Sequence, residues 1–235
     1  MKIERTDNAT RNITFGVLLK IYQMAAPFLL RTALIYYMGA QYVGLDSLFA
    51  SILQVLNLAE LGVGSAMVYS MYKPIVEDDT ITICALMKLY RLYYRIIGSI
   101  IAVVGVVLTP FVPTLVKGNL PAELNIYVLY LLNLFATVLS YWAFAYKSSV
   151  FQAHQRVDVI SKINIVTFTF RYVGQLLVIL FIKDYYIYIL VMLVTQLLTN
   201  VITAIAASKM YPEYQPRGSL DKKSVKDINQ RIKDL

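Results

Sequence analysis

Four charged residues inside long apolar stretches of this sequence are candidates for a functional site: Lys20, Arg31, Glu60 and Arg171. A charge at the centre of a membrane helix costs about 2.5–3.5 kcal/mol on insertion scales, so such residues usually face a protein interior or a watery cavity. The planar guanidinium of arginine matches phosphate oxygens and stays charged at any relevant pH. Three cations and one carboxylate therefore predict a cavity for a ligand with concentrated negative charge, such as a phosphate or pyrophosphate.

Uncharged polar residues recur near these charges at helical spacing. The stripes are Lys20, Gln23, Pro27 and Arg31; Gln54, Asn57, Glu60 and Gly64; Asn133, Thr137 and Ser140; Asn164, Thr167, Arg171 and Gln175; and Gln196, Thr199, Asn200 and Thr203. One such stripe would be explained by hydrogen bonds between helices. Stripes on five segments, three of which also carry charge, favour a central hydrophilic cavity.

The candidate site residues follow from these stripes. We predict that Arg31, Arg171 and Lys20 bind substrate, and that Glu60, Gln54, Asn57, Asn133 and Gln175 line the cavity or take part in coupling. Two alternatives stay open for the charges. Lys20 and Arg31 are close enough to the segment ends to extend toward the membrane surface. Glu60 is either a structural partner of Lys20 or a site that couples transport to a proton or cation.

Six apolar segments must position these residues, at roughly 14–38, 43–70, 96–116, 124–146, 163–182 and 185–207. Each is about as long as a helix that crosses 30 Å of hydrocarbon. Of the 235 residues 58% are apolar and only 15% are charged. The expected fold is all-α: a polytopic transmembrane helical bundle over residues 1–207. Proline at position 27 predicts a kink in the first helix.

The basic residues alternate between the connections of these segments. Eighteen of the 22 lysines and arginines fall on one side, in the N-terminal segment, in the second and fourth connections and in the tail. Basic residues favour the cytoplasmic side, which predicts that both termini are cytoplasmic. The same bias explains the net charge of +8 better than nucleic-acid binding does.

Two connections are predicted to be more than turns. Residues 80–95 continue the helical pattern into the third segment and carry Lys88, Arg91 and Arg95 at helical spacing. A basic anchor at the lipid surface explains them best, and guidance of an anionic substrate is the alternative. Residues 208–235 are expected to form a basic cytoplasmic linker, with a helix-prone stretch over 219–235.

Enzyme signatures are absent from the sequence. It contains no Walker loop, no paired-histidine metal motif and no GxSxG elbow, and its one cysteine, Cys84, excludes an internal disulfide and a cysteine metal cluster. The one histidine, His154, is expected to be solvated in a cytoplasmic connection. We therefore predict a protein that is not an enzyme, with no catalytic residue, no metal and no cofactor.

Several motifs in order carry a family resemblance. They are NLAELGVGSAMVYSMYKPI at 57–75, the basic run KLYRLYYR, LTPFVPTLV at the end of the third segment, and VFQAHQRVDVISKIN in the fourth connection. In this order they resemble Wzx-type polysaccharide flippases of the multidrug/oligosaccharidyl-lipid/polysaccharide exporter superfamily. The resemblance covers most of the chain.

The resemblance implies a bacterial cytoplasmic-membrane transporter with two pseudosymmetric lobes, which moves undecaprenyl-pyrophosphate-linked oligosaccharides outward by alternating access. It implies that Lys20, Arg31 and Arg171 are basic cavity residues, and that Gly62 and Gly64 allow a close helix contact or flexing. Family members are about twice as long, so this chain resembles the first lobe alone. Its expected partners are the lipid-linked substrate, membrane lipids, and a missing second lobe or another copy of itself.

Three alternatives to the flippase function stay open. A lipid II or multidrug exporter belongs to the same class, although cationic drugs would prefer an acidic cavity. A membrane-embedded polymerase or glycosyltransferase would need a large extracytoplasmic loop or a carboxylate-rich cytoplasmic site, and the sequence has neither. A scaffold for polysaccharide assembly would tolerate neutral replacements of Arg31 and Arg171.

Overall fold

All regular structure that the computed structural model describes, over residues 5–60, 62–116, 121 and 123–234, is helical. Leu61 and the basic residues Lys2 and Lys117 lie outside these described residues. The helices are α1 (Arg5–Tyr37), α2 (Ala40–Leu56), α3 (Val63–Val76), α4 (Thr80–Leu108), α5 (Val112–Leu115), α6 (Ile126–Trp142), α7 (Ser148–Ala153), α8 (Val157–Leu177), α9 (Tyr185–Met210) and α10 (Lys222–Asp234).

Within the described residues, four stretches of helix are long and apolar enough to cross a membrane: Asp7–Tyr37, Thr80–Leu115, Val157–Ile182 and Tyr185–Met210. A fifth is obtained if Ile126–Trp142 and Ala145–Ala153, which meet at an angle of 47°, count as one span. The expected all-α fold is thus confirmed, and the chain is a multi-pass membrane protein. Proline 27 does not break the first helix, since α1 continues through it to Tyr37.

The second predicted segment, 43–70, is not one continuous helix. The α2 helix ends at Leu56, a 3₁₀ turn covers Asn57–Glu60, and α3 begins at Val63. Gly62, just before α3, has a φ of 83°, a left-handed conformation that glycine adopts at no steric cost. The single stripe predicted from Asn57 through Gly64 is therefore wrong, because the helix is interrupted between these two residues.

The remaining helices pack in a ring-like order of neighbours. The α1 helix contacts α2 and α8, α8 contacts α9, α9 contacts α6, and α6 contacts α4. Side-chain caps fix where three of these helices begin. Asp79 accepts a hydrogen bond from the Thr82 amide at the start of α4, and Asn125 and Asp184 do the same for α6 and α9.

Glycine lets α4 and α6 approach each other closely. A Cβ atom added to Gly98 would lie 2.8 Å from the Trp142 ring and 3.0 Å from Cβ of Tyr141. Gly105, two turns further on, lies against Leu134 in the same way, with 2.4 Å between an added Cβ and Cδ1. Membrane helices commonly associate through small residues because dispersion contacts replace the hydrophobic effect there.

His154 is buried beside the segment that follows α9, and the prediction of a solvated residue is wrong. Its exposed fraction is 4%. Its ring centroid lies 4.3 Å from that of Tyr211 and 5.5 Å from that of Tyr214, and its Nδ1 lies 2.8 Å from the carbonyl oxygen of Val150. Burial lowers the pKa of His154, which the Val150 carbonyl and the charge of Glu213 partly offset.

The segment after α9 folds back onto the bundle through this cluster. Its continuation, α10, packs against α3, with Ile228 buried and the Arg231 guanidinium 4.7 Å from the Tyr69 ring centroid. The helix expected over 219–235 is present, therefore, and is attached to the other helices by apolar and cation–π contacts.

Replacing Gly98 by alanine is expected to destabilise the protein by about 1–3 kcal/mol, because the added methyl group overpacks the contact with Tyr141. The measurement is the thermal unfolding midpoint in detergent. Gly16→Ala is the matched control, since an added Cβ there meets nothing within 4 Å. Equal midpoints for the two variants would contradict a close α4–α6 contact.

Acidification below pH 6.5 is expected to destabilise the folded protein through His154. The unfolded chain, with the ordinary histidine pKa of 6.5, binds the proton more readily than the buried ring does, so stability falls as pH decreases. The loss is at most about 1.4 kcal/mol per pH unit. Unfolding midpoints at pH 7.5 and 5.5 measure this loss.

His154→Phe keeps an aromatic ring beside Tyr211 and removes the titrating group. This variant should show a smaller difference between the two midpoints than the wild type. An unchanged difference would mean that other groups carry the pH dependence.

Candidate substrate cavity

A polar cavity of about 450 Å³ lies between α2, α4, α6, α8 and α9. Its lining residues are Asp46, Ala50, Leu53, Asn57, Glu60, Tyr94, Asn133, Ala136, Thr137, Ser140, Tyr141, Ala145, Arg171, Met192, Gln196 and Asn200. Residues from four of the five predicted stripes meet here: Asn57 and Glu60 of the second segment, three residues of α6, Arg171 of α8, and two residues of α9. A central hydrophilic cavity, as predicted from the stripes, is present in the structure.

One end of the cavity is organised around the carboxylate of Glu60. Tyr141 donates a hydrogen bond of 2.7 Å to Oε2, and Tyr94 donates one to Oε1. Tyr90 in turn donates to the Tyr94 hydroxyl oxygen at 3.1 Å. Because Glu60 ends the 3₁₀ turn after α2, these bonds connect the helix break to α4 and to α6.

The other end holds an arginine and an aspartate. Asp46 interacts electrostatically with both Arg171 and Arg31. Asp46 and Glu60 are 14 residues apart along α2 and its 3₁₀ continuation, which separates their backbones by about 20 Å. The two carboxylates therefore form two distinct charged regions of one cavity.

Arg171 keeps most of its hydrogen-bonding capacity. Its Nε donates to Oε1 of Gln175 at 3.3 Å, and its guanidinium lies 5.7 Å from the centroid of the Tyr172 ring. Among the described residues, Gln175 is its one hydrogen-bond partner. Gln175 is itself fully buried and donates to the carbonyl of Tyr188. Its side chain is therefore fixed, and its bond to Nε orients the guanidinium of Arg171.

The uncharged lining is polar on α6 and α9. The Asn200 side chain donates a 3.0 Å hydrogen bond to the carbonyl of Ser140, which joins the two helices. Asn133 and Thr137 donate to carbonyls of their own helix four residues earlier. Both residues line the cavity and their side-chain oxygens can still accept a hydrogen bond, so this wall suits a hydroxylated ligand.

The structure brings together four of the eight predicted site residues: Arg171, Glu60, Asn57 and Asn133. The other four, Lys20, Arg31, Gln54 and Gln175, are not part of the lining. Lys20 and Gln54 are exposed and do not line this cavity. Arg31 instead donates a 2.8 Å hydrogen bond to Ser47, next to Asp46.

The predicted excess of cations in the cavity is wrong. Among the described lining residues there are one cation, Arg171, and two carboxylates, Asp46 and Glu60. The Lys20–Glu60 pair is also not formed, since the Glu60 carboxylate is bonded to tyrosines. The charge of the site is thus divided into an arginine-containing region and an acidic one.

Sequence reasoning missed Asp46, Tyr94 and Tyr141. Asp46 lies inside the predicted segment 43–70, so the rule that marked Glu60 would have found it. The tyrosines carried no such signal, because the chain has 19 of them and tyrosine is common at membrane interfaces. The described residues contain no group of three or more histidines, cysteines or acidic residues that could hold a metal ion.

If water enters the cavity, cysteines at two neighbouring positions of α6 are expected to react at different rates with a water-soluble thiol reagent. In a Cys84→Ala background, Ala136→Cys should react readily with a charged, water-soluble thiol reagent, because residue 136 lines the cavity. Phe135→Cys should react slowly although Phe135 is 60% exposed, because its face is the lipid-facing one. Labelling rates in nanodiscs measure this, and faster reaction at 135 would contradict a hydrated cavity.

Comparisons with known proteins yield no relative for this chain. No protein-family model, no curated protein and no solved structure matches it. The resemblance of the sequence motifs to polysaccharide flippases therefore stays a prediction, and the functional argument rests on the geometry of the cavity.

Proposed function

We propose that this chain forms one lobe of a membrane exporter that flips a lipid-linked oligosaccharide by alternating access. The observation that carries the proposal is the polar cavity of about 450 Å³ between helices that are otherwise apolar. A cavity of this kind is costly to maintain in a membrane bundle unless it receives a polar ligand or ion. The motif resemblance supports the same function.

The pyrophosphate of the substrate is assigned to the arginine-containing region. The terminal nitrogens of Arg171 are available for a bidentate contact with phosphate oxygens, while Gln175 fixes the orientation of the guanidinium. Arg31 adds a second positive charge close to Asp46. With Asp46 ionised, these three residues keep a net charge of +1, which attracts an anion.

The oligosaccharide and the coupling step are assigned to the rest of the cavity. Carbonyl and side-chain oxygens on α6 and α9 suit sugar hydroxyls, and the polyprenyl tail remains in lipid. Glu60 is the coupling residue: binding of a proton or cation there alters its hydrogen bonds to Tyr94 and Tyr141, and through them the contacts of the helix break with α4 and α6.

A second function is favoured by a specific observation. The two carboxylates of the lining, Asp46 and Glu60, would suit a cationic amphiphile, the type of substrate that a multidrug exporter moves. The sequence alone disfavoured this candidate because it predicted three cations in the cavity. The flippase function requires the positive charge of Arg171, whereas the multidrug-exporter function requires the negative charges of Asp46 and Glu60.

Binding to the purified full chain in nanodiscs distinguishes the two functions. Arg171→Gln is expected to weaken binding of a fluorescent polyprenyl-pyrophosphate oligosaccharide by about ten- to a hundredfold, the effect of losing a charged hydrogen bond. Asp46→Asn should leave that affinity equal or higher. Flipping of the same substrate in proteoliposomes should decrease in parallel in the Arg171 variant.

Arg217→Gln is the matched control, since Arg217 is exposed on the segment between α9 and α10. Undiminished binding by a folded Arg171 variant would refute the assignment of the pyrophosphate. Tight binding of a cationic dye that is lost in Asp46→Asn and Glu60→Gln would instead establish the second function.

A further inference from the structure

A second recess, separate from the central cavity, lies beside the basic part of α4. Its volume is about 430 Å³, and it is bounded by α4 on one side and by the chain leading into α10 on the other. Lys88, Arg91 and Arg95 come from α4, and Gly218 and Leu220 come from the opposite wall. We call it the basic recess. It shares no lining residue with the central cavity.

The basic recess has a strong positive charge that no carboxylate in its lining offsets. Lys88, Arg91 and Arg95 are spaced by three and four residues and so share one face of α4. The Lys88 ammonium donates to the carbonyl oxygen of Gly218 at 2.9 Å, and the Arg91 guanidinium lies 6.0 Å from the Tyr146 ring centroid. Among the described residues, none of the three forms an ion pair with a carboxylate.

An apolar groove continues from the basic recess along α4. Arg95 lines both, and the groove, also of about 430 Å³, is otherwise formed by Ile96, Ser99, Ile100, Val103 and Val104. These side chains face outward; Val103, for example, is 65% exposed. The apolar part of α4 begins directly after Arg95, so this residue lies at the boundary between the membrane interface and the hydrocarbon.

We propose that the basic recess and its apolar groove together bind an anionic phospholipid, with the phosphate of the headgroup among Lys88, Arg91 and Arg95 and an acyl chain along Ile96–Val104. The three cations provide the charge complementarity. A soluble anion would fill only the recess. A phospholipid fits both parts, because its headgroup would occupy the recess and its acyl chain the groove that follows it along α4. The site is independent of the function proposed for the central cavity.

Bound lipid would also connect two parts of the fold. The recess lies between α4 and residues 216–225, which are joined across it by the bond from Lys88 to Gly218. A headgroup that contacts Arg91 and Arg95 from this position fills the space between the two walls. Lipid binding is therefore expected to raise the thermal unfolding midpoint as well as to be measurable directly.

Native mass spectrometry of the full chain in detergent tests the proposal, because no membrane surface is present to attract lipid non-specifically. Phosphatidylglycerol should be retained in preference to phosphatidylcholine. Combined Lys88→Gln, Arg91→Gln and Arg95→Gln replacement should weaken phosphatidylglycerol binding by roughly a hundredfold, since each basic residue contributes about fivefold. The matched control replaces Lys73, Lys209 and Lys226 by glutamine, with the same loss of charge outside the recess, and should bind as the wild type does.

Val103→Trp fills the apolar groove at an outward-facing position that does not contribute to the core, and it provides a test if the triple variant does not fold. It should weaken phosphatidylglycerol binding and leave binding of inorganic phosphate unaltered. Equal retention of the two lipids by the wild type, equal losses in the recess and control variants, or binding of inorganic phosphate as tight as that of phosphatidylglycerol would each overturn the proposal.

Discussion

The hydrogen bonds between Glu60 and the two tyrosines are the interaction on which the cavity depends. A helix that stops within an apolar bundle must have its polar groups satisfied by protein, because lipid offers no partners. Here the carboxylate of Glu60, at the stop, accepts hydrogen bonds from Tyr94 of α4 and Tyr141 of α6. No buried side-chain nitrogen or oxygen in the described part of the chain lacks a hydrogen-bond partner. The break is therefore an integral part of the bundle.

The break also explains why the charges of the cavity are separated. In a continuous helix each residue after Leu56 would be rotated by about 100° from the one before it. Here a 3₁₀ turn and the left-handed Gly62 lie between α2 and α3. Glu60 can then remain at the centre while α3 leaves to pack against α4. Asp46 and Arg171 occupy the other region, supported by Gln175. One cavity thus has an arginine and an aspartate in one region and the carboxylate of Glu60 in the other.

The fold was largely predictable from the sequence, and the site only in part. Apolar length alone predicts the long helices such as α8 and α9, and the basic extension 80–95 predicts that α4 begins well before its apolar part. The second segment was misjudged, because the hydropathy of 43–70 does not reveal the 3₁₀ turn and the left-handed glycine that lie between α2 and α3. Lys20 was misassigned for a different reason. Depth in a membrane can be estimated from sequence, but the direction in which a helix face points depends on its neighbours.

The close contact between α4 and α6 has one more consequence. The only tryptophan of the chain, Trp142, lies against Gly98 and donates a 3.3 Å hydrogen bond to the carbonyl of Arg95. It follows Tyr141 directly in the sequence, and Tyr141 is a hydrogen-bond partner of Glu60. Its indole fluorescence therefore comes from a single place in the molecule, at the contact that connects the central cavity to Arg95. The protein carries an intrinsic optical reporter for any rearrangement of α4 against α6.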